Sequence, residues 1–67
     1  MKLTGKVINQ NWGGYVFEFD FGNWTIDPVL FSRIPGGSIA SVGDIWEFDC
    51  TKYPVDGYIP NSANKVQ

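Results

Sequence analysis

The sequence predicts an all-β fold, a small five-stranded antiparallel barrel that forms a single domain over residues 1–67. Strand-forming residues occur in short runs, and no window has apolar residues at helical spacing. Turn signals separate these runs at short intervals, which is typical of β-sandwiches and barrels. The turn signals are Gly13-Gly14, Gly22-Asn23, Pro35-Gly36-Gly37, Gly43-Asp44 and Asp56-Gly57.

Five strands are predicted in chain order: Leu3–Gln10, Gly14–Phe21, Trp24–Leu30, Asp44–Tyr53 and Gly57–Val66. Gly22-Asn23 is the predicted two-residue hairpin turn, because both residues tolerate positive φ. The longest connection is Phe31–Ser41, and a short helical turn is predicted at its start, before Pro35. Pro28 and Pro60 lie inside predicted strands, so these strands are expected to be edges or to carry bulges. Five strands with this long third connection favour an OB-type barrel, with an SH3-like barrel as the alternative.

The second predicted strand carries a row of aromatic residues at every second position: Tyr15, Phe17, Phe19 and Phe21. A β-strand places all four on one face and the intervening Glu18 and Asp20 on the other. Phe17 and Phe19 are predicted to face the core, because two unpaired buried carboxylates would cost several kcal/mol each. Two registers remain open for Tyr15. It lies inward with the other rings, or a bulge near Val16–Phe17 leaves it on the outside.

Several segments resemble motifs of the cold-shock domains. They lie in the order found in that family and span nearly the whole chain: Gly5-Lys6-Val7, Gly14-Tyr15-Val16, Asp27–Ile34, Val42–Phe48 and Ala63–Val66. Gly14-Tyr15-Val16 is similar to the end of the first RNA-binding motif of the family, and Asp27–Ile34 to the second motif and the residues after it. The resemblance implies an OB-type barrel that binds single-stranded RNA or DNA by stacking bases on aromatic rings.

The candidate nucleic-acid-binding residues combine aromatic rings with basic side chains: Lys6, Trp12, Tyr15, Trp24, Phe31 and Arg33. Tyr15 and Phe31 fall on aromatic positions of the two motifs. Trp12 and Trp24 belong to no apolar stripe, so each is either a further stacking ring or a cap on one end of the barrel. Lys6 and Arg33 are the candidates for phosphate contacts. The predicted function is weak binding of single-stranded RNA or DNA on the face of the second and third strands.

A second interpretation is an acidic OB-type domain that binds a protein, or inhibits a nucleic-acid enzyme, and has lost nucleic-acid binding. Gly13, Pro28 and Leu30 stand where the resembled motifs have phenylalanine or histidine. The net charge of −2, from five basic and seven acidic residues, disfavours contacts with polyanions. The number of exposed rings on the second and third strands discriminates between the interpretations. Three or more favour nucleic acid, and none or one favours a protein partner.

The composition predicts no enzymatic activity, cofactor or metal. There is no histidine to act as a general base near neutral pH, and one cysteine without histidine cannot form a Cys/His zinc site. Trp46 and Cys50 lie in an alternating run that predicts a second core face. No apolar run resembles a signal peptide or approaches the roughly 20 residues of a membrane span, so a cytoplasmic location is expected.

Overall fold

The computed structural model describes residues 1–53 and 57–67, apart from the side chains of Tyr53 and Tyr58; the predicted Asp56-Gly57 turn therefore lies partly outside the described residues. Its elements are β1 (Lys2–Asn11), β2 (Gly14–Phe19), β3 (Gly22–Ile26), α1 (Pro28–Arg33), β4 (Ile45–Tyr53) and β5 (Gly57–Lys65). The strands form one antiparallel sheet in the order β3-β2-β1-β4-β5, which confirms the prediction of an all-β fold. In the described part of the chain, no backbone pairing joins β3 to β5, so the sheet is open between these two edge strands.

One face of the sheet and helix α1 enclose an aromatic core. Its buried residues in the described chain are Val7, Tyr15, Phe17, Phe19, Phe31, Ala40, Trp46, Phe48, Cys50 and Ala63. The Phe31 ring from α1 lies at the centre, with centroid distances of 4.9 Å to Trp46 and 5.4 Å to Phe17. The predicted burial of Trp46 and Cys50 is confirmed, and this burial raises the pKa of the Cys50 thiol.

Tyr15 adopts the inward register. β2 pairs with β3 from Tyr15 to Phe19 without a register shift. Tyr15, Phe17 and Phe19 are all buried, whereas Glu18 between them is exposed. The predicted core position of Phe17 and Phe19 is confirmed, and of the two registers left open for Tyr15 the structure has the one without a bulge in β2. The irregularity of this hairpin lies in β1, between Val7 and Asn9.

β3 ends earlier than predicted, and a helix follows it. The predicted strand Trp24–Leu30 is wrong in its second half, because α1 begins at Pro28. Asp27 is the N-cap: its Oδ1 accepts hydrogen bonds from the backbone N–H groups of Val29 at 2.8 Å and Leu30 at 3.4 Å. Proline is favoured at the first helical position, where its missing N–H would have had no partner. Pro28 therefore marks a helix start and lies outside β3, although β3 is an edge of the sheet, as expected for the third predicted strand.

The hairpin between β2 and β3 turns at Asp20-Phe21, so the prediction of a turn at Gly22-Asn23 is wrong. Phe19 pairs with Gly22, and Glu18 pairs with Asn23, which places both predicted turn residues in β3. In the described chain only glycines have positive φ, and Gly22 has a φ of 141°. Gly22 thus provides the positive φ angle directly after the turn. As a consequence, Phe21 lies in the loop and leaves the row of buried rings.

Both features predicted for the strand that contains Pro60 are observed. β5 is an edge of the sheet, and its pairing with β4 shifts register between Asp49 and Cys50, beside Pro60. The following part of the strand is covered, because the Ala63 N–H donates a 2.8 Å hydrogen bond to the Pro35 carbonyl. The connection after α1 therefore protects one half of β5 and leaves the half near Pro60 facing β3.

Candidate binding groove between β3 and β5

The two aromatic residues predicted from the resemblance as stacking rings lie in the core. Tyr15 is 4% exposed and Phe31 is 0% exposed. Their rings contact each other at a centroid distance of 5.6 Å, and both contact Phe17. A base can stack only on a ring with an accessible face, so Tyr15 and Phe31 offer no stacking surface in this structure.

Three other predicted residues are exposed but lie on separate elements. Trp12 is fully exposed in the β1–β2 turn. Lys6 lies on β1 opposite Glu18 of β2, and Arg33 lies in the last turn of α1. Among the described residues, no hydrogen bond, ion pair or ring contact connects Lys6, Trp12 and Arg33 to one another. The structure does not assemble them into one site.

The outer face of β2 and β3 carries no aromatic ring. Glu18 pairs with Asn23, and Val16 pairs with Thr25, on the face opposite the buried rings. Trp24 lies directly opposite Phe17 and therefore shares the inner face with it. This face offers no row of rings on which successive bases can stack.

A groove of about 530 Å³ lies between the open edges of the sheet. β3 and the start of α1 form one side, and β5 forms the other. Its lining residues are Asn23, Trp24, Thr25, Ile26, Asp27, Leu30, Ile34, Ile59 and Pro60. Trp24 forms part of the floor, since its ring packs at 4.8 Å from Phe19 and 6.4 Å from Phe48. Leu30 is 58% exposed and Ile59 is 49% exposed, so both present apolar surface to an occupant.

The groove is apolar and almost uncharged. Among the described residues of its lining, Asp27 is the one with an ionisable side chain, and its Oδ1 already accepts the two backbone N–H groups at the start of α1. The polar side chains of Asn23 and Thr25 lie at the rim, on the outer face of β3. A groove of this composition selects an apolar occupant, with polar contacts left to the backbone and the rim.

A smaller groove of about 380 Å³ lies at the other end of the hairpin between β2 and β3. It is lined by Lys2, Leu3, Thr4, Phe19, Asp20 and Phe21. The Phe21 ring is stacked on Phe19 with a centroid distance of 5.1 Å and an interplanar angle of 11°. Within the described residues, no group of three thiol or carboxylate side chains is arranged to hold a metal ion.

Sequence reasoning missed most of the groove residues, although two signals pointed to them. Asp27 followed by Pro28 is the signature of a helix start. A helix that begins at Pro28 brings Leu30 close to Ile34, because residues four positions apart are neighbours on a helix surface. Pro60 and Pro28 indicated edge strands, but the sequence did not show that the two edges, β5 and β3, would face each other across a groove.

The chain matches no known protein family, no curated protein and no solved structure at a significant level. No helix in the described part of the chain has the length and apolar character needed to cross a bilayer. The functional conclusion therefore depends on the geometry of the groove.

Proposed function

We propose that this protein is a protein-binding module that holds an extended apolar segment of its partner in the groove between β3 and β5. One observation carries the proposal: an apolar groove lies between the two edges of the sheet, and no pairing in the described chain closes it. This is the second interpretation of the sequence. The absence of rings on the outer face of β2 and β3 supports it over base stacking there.

The exposed apolar side chains of the groove provide the binding free energy. Full burial of one leucine or isoleucine side chain contributes about 1.5–3 kcal/mol, so covering the exposed parts of Leu30 and Ile59 contributes roughly half of this for each. Trp24 adds a partly buried tryptophan, a residue type that is enriched at the energetic centres of interfaces. Association has its own entropic cost, so we expect the affinity for an isolated segment to be moderate.

The finer fold assignment belongs to this proposal. The strand order and the helix between β3 and β4 are compatible with an OB-type barrel that is open between its two edge strands, β3 and β5. Membership of the cold-shock domains, a cytoplasmic location and the absence of enzymatic activity stay predictions from the sequence.

Weak binding of single-stranded RNA or DNA is the second candidate function, favoured by the fully exposed ring of Trp12. Each stacked base contributes on the order of 1–3 kcal/mol. Tyr15 and Phe31 are buried, so Trp12 and the partly exposed rings of Trp24 and Phe21 would have to supply the stacking. With a net charge of −2, such binding is expected to be weak and sensitive to salt.

A matched pair of variants tests the proposed function. Leu30 and Val29 are neighbours on α1 with exposures of 58% and 59%, but only Leu30 lines the groove. Peptides are selected from a random displayed library on the wild-type protein, and their affinities are measured for Leu30→Glu and Val29→Glu. We expect Leu30→Glu to weaken binding by about tenfold or more, because it places a charge in an apolar groove, and Val29→Glu to leave binding unchanged. Equal effects of both variants, or no selected peptide, would contradict the proposal.

A titration with oligo-dT and oligo-U at low salt, followed by tryptophan fluorescence, tests the second candidate. Stacking on Trp12 predicts quenching in the wild type that Trp12→Ala removes. If the oligonucleotides leave the fluorescence unchanged, nucleic-acid binding is excluded. Trp12 does not line the groove, so Trp12→Ala is expected to leave peptide binding unchanged.

A further inference from the structure

The two edges of the sheet differ in how well they are protected against pairing with another chain. Natural sheets protect their edges with proline, bulges, charged residues or a covering loop. β5 has three of these devices: Pro60, the register shift beside it, and the hydrogen bond from Ala63 to the connection after α1. Its free edge is therefore a poor template for a further strand.

In the part of the chain that the structure describes, β3 has none of these devices. Its sequence, Gly22 to Ile26, contains no proline and no charged residue. It pairs with β2 in regular register over all five residues, without a bulge. Among the described residues, no backbone hydrogen bond covers its other edge. The amide and carbonyl groups that point away from β2 are thus arranged as a template for one more strand.

We propose that the partner segment binds by β-augmentation, as an additional strand paired with the edge of β3; this inference rests on the proposed function. The added strand lies over the groove, with alternate side chains entering it beside Trp24 and Ile26. The side chains between them lie on the outer face, beside Asn23 and Thr25. Backbone hydrogen bonds give affinity in this mode, and the groove selects the alternate side chains.

The geometry also specifies the chemistry of the partner segment. β3 has five residues, so a strand paired along its length spans roughly 17 Å. The groove-facing positions must be apolar and uncharged, since in the described part of the lining Asp27 is the one charged residue and is already hydrogen-bonded. The segment must carry free backbone N–H groups at alternate positions, which excludes proline there. From the described side chains of β5, Ile59 and Pro60 line the groove.

Amide hydrogen exchange tests this inference with the selected peptide described above as the probe. We expect the peptide to slow exchange by tenfold or more at the β3 amides that do not pair with β2. The amides of Asn61–Lys65 are expected to change less, because β5 does not pair with the peptide. Methylating alternate backbone nitrogens of the peptide, on the edge that faces β3, should abolish binding, whereas methylating the other set should not.

The charge variant Thr25→Lys and its control Asn64→Lys provide a second test, which is interpreted together with the exchange data because Thr25 also lines the rim of the groove. Both residues are exposed on the outer face of an edge strand, but only Thr25 is on β3. Lysine on the augmented edge should weaken peptide binding about tenfold or more, and lysine on β5 should not. Binding that depends on Leu30 but protects no β3 amide would overturn the inference and leave the proposed function intact. Protection of β3 that rises with protein concentration without peptide would also overturn it, in favour of pairing between two copies.

Discussion

At the scale of single residues, Phe31 illustrates the difference between matching a motif position and being accessible. The resemblance predicted a base-stacking ring at this position. In the structure the ring is completely buried and contacts Tyr15, Phe17, Trp46 and Phe48. Sequence patterns locate an aromatic residue within a strand or helix, but the burial of the Phe31 ring depends on partners from two other strands, β2 and β4.

Phe31→Ala should therefore reduce the free energy of unfolding by about 3–5 kcal/mol, since it removes a large buried ring. A domain of 67 residues has a total stability of about 3–10 kcal/mol, so the variant is expected to be partly or fully unfolded. Urea denaturation measures the change. Val29→Ala on the same helix is the control and should stay within about 0.5 kcal/mol of the wild type. Similar effects of both variants would show that Phe31 is not the centre of the core.

Asp44 holds together the turn that leads into β4. Its Oδ2 accepts the backbone N–H of Ser41 at 2.9 Å, and its Oδ1 lies 3.6 Å from Nζ of Lys65. The hydrogen bond from Ser41 lowers the pKa of Asp44, partial burial opposes this change, and the positive charge of Lys65 adds to the lowering. The ionised form is thus favoured in the folded state.

Because the pKa is lowered in the folded state, Asp44 stabilises the protein above the ordinary carboxyl pKa of about 4. This contribution is lost as the pH falls from that value through the lowered pKa. We expect Asp44→Asn to reduce the Tm at pH 6 and to make the Tm fall less between pH 6 and pH 3. Asp20→Asn, at an exposed turn position, is the control. An unchanged pH dependence in Asp44→Asn would contradict this role.

At the scale of elements, the sequence was informative for strands and misleading where a strand meets a helix. The alternation of apolar and charged residues predicted β2 and β4, and Pro60 correctly indicated an edge strand with a bulge. The segment after Trp24 was assigned to a strand because its residues are strand formers. The capping of the helix by Asp27 overrides this propensity, since its Oδ1 accepts two backbone N–H groups of the first turn that have no partner within the helix. The predicted helical turn before Pro35 is this helix, which begins three residues earlier than the predicted connection.

The connection from α1 to β4 approaches β5 so closely that Gly36 has no room for a side chain. A Cβ at Gly36 would collide with the Ala63 carbonyl oxygen, and its φ is 87°. Gly43 has a similar φ of 98°, but nothing lies near the Cβ position. Gly36→Ala should therefore destabilise the protein more than Gly43→Ala, which carries only the backbone strain of about 1–3 kcal/mol. Thermal unfolding of both variants measures the difference. An equal decrease in Tm for the two variants would show that the connection does not pack closely against β5.

At the scale of the whole molecule, the lack of strand pairing between β3 and β5 in the described chain is the feature that the sequence could not predict. The number, type and direction of the strands followed from alternation and turn signals. Closure of the sheet instead depends on whether two strands more than thirty residues apart find a common register. Pro60 removes one hydrogen-bond donor from such a pairing, and the connection after α1 already occupies part of β5. The result is an apolar groove where the sequence predicted a closed barrel.

The affinity of one selected peptide for the wild type, Leu30→Glu and Val29→Glu is the most direct test of the proposal that this groove binds a protein segment. The two variants add the same charge at equally exposed, adjacent positions of α1. Far-ultraviolet circular dichroism of each variant establishes that it remains folded. The proposal predicts binding by the wild type and Val29→Glu, and a loss of about tenfold or more in Leu30→Glu. Equal affinity of the two folded variants would contradict it.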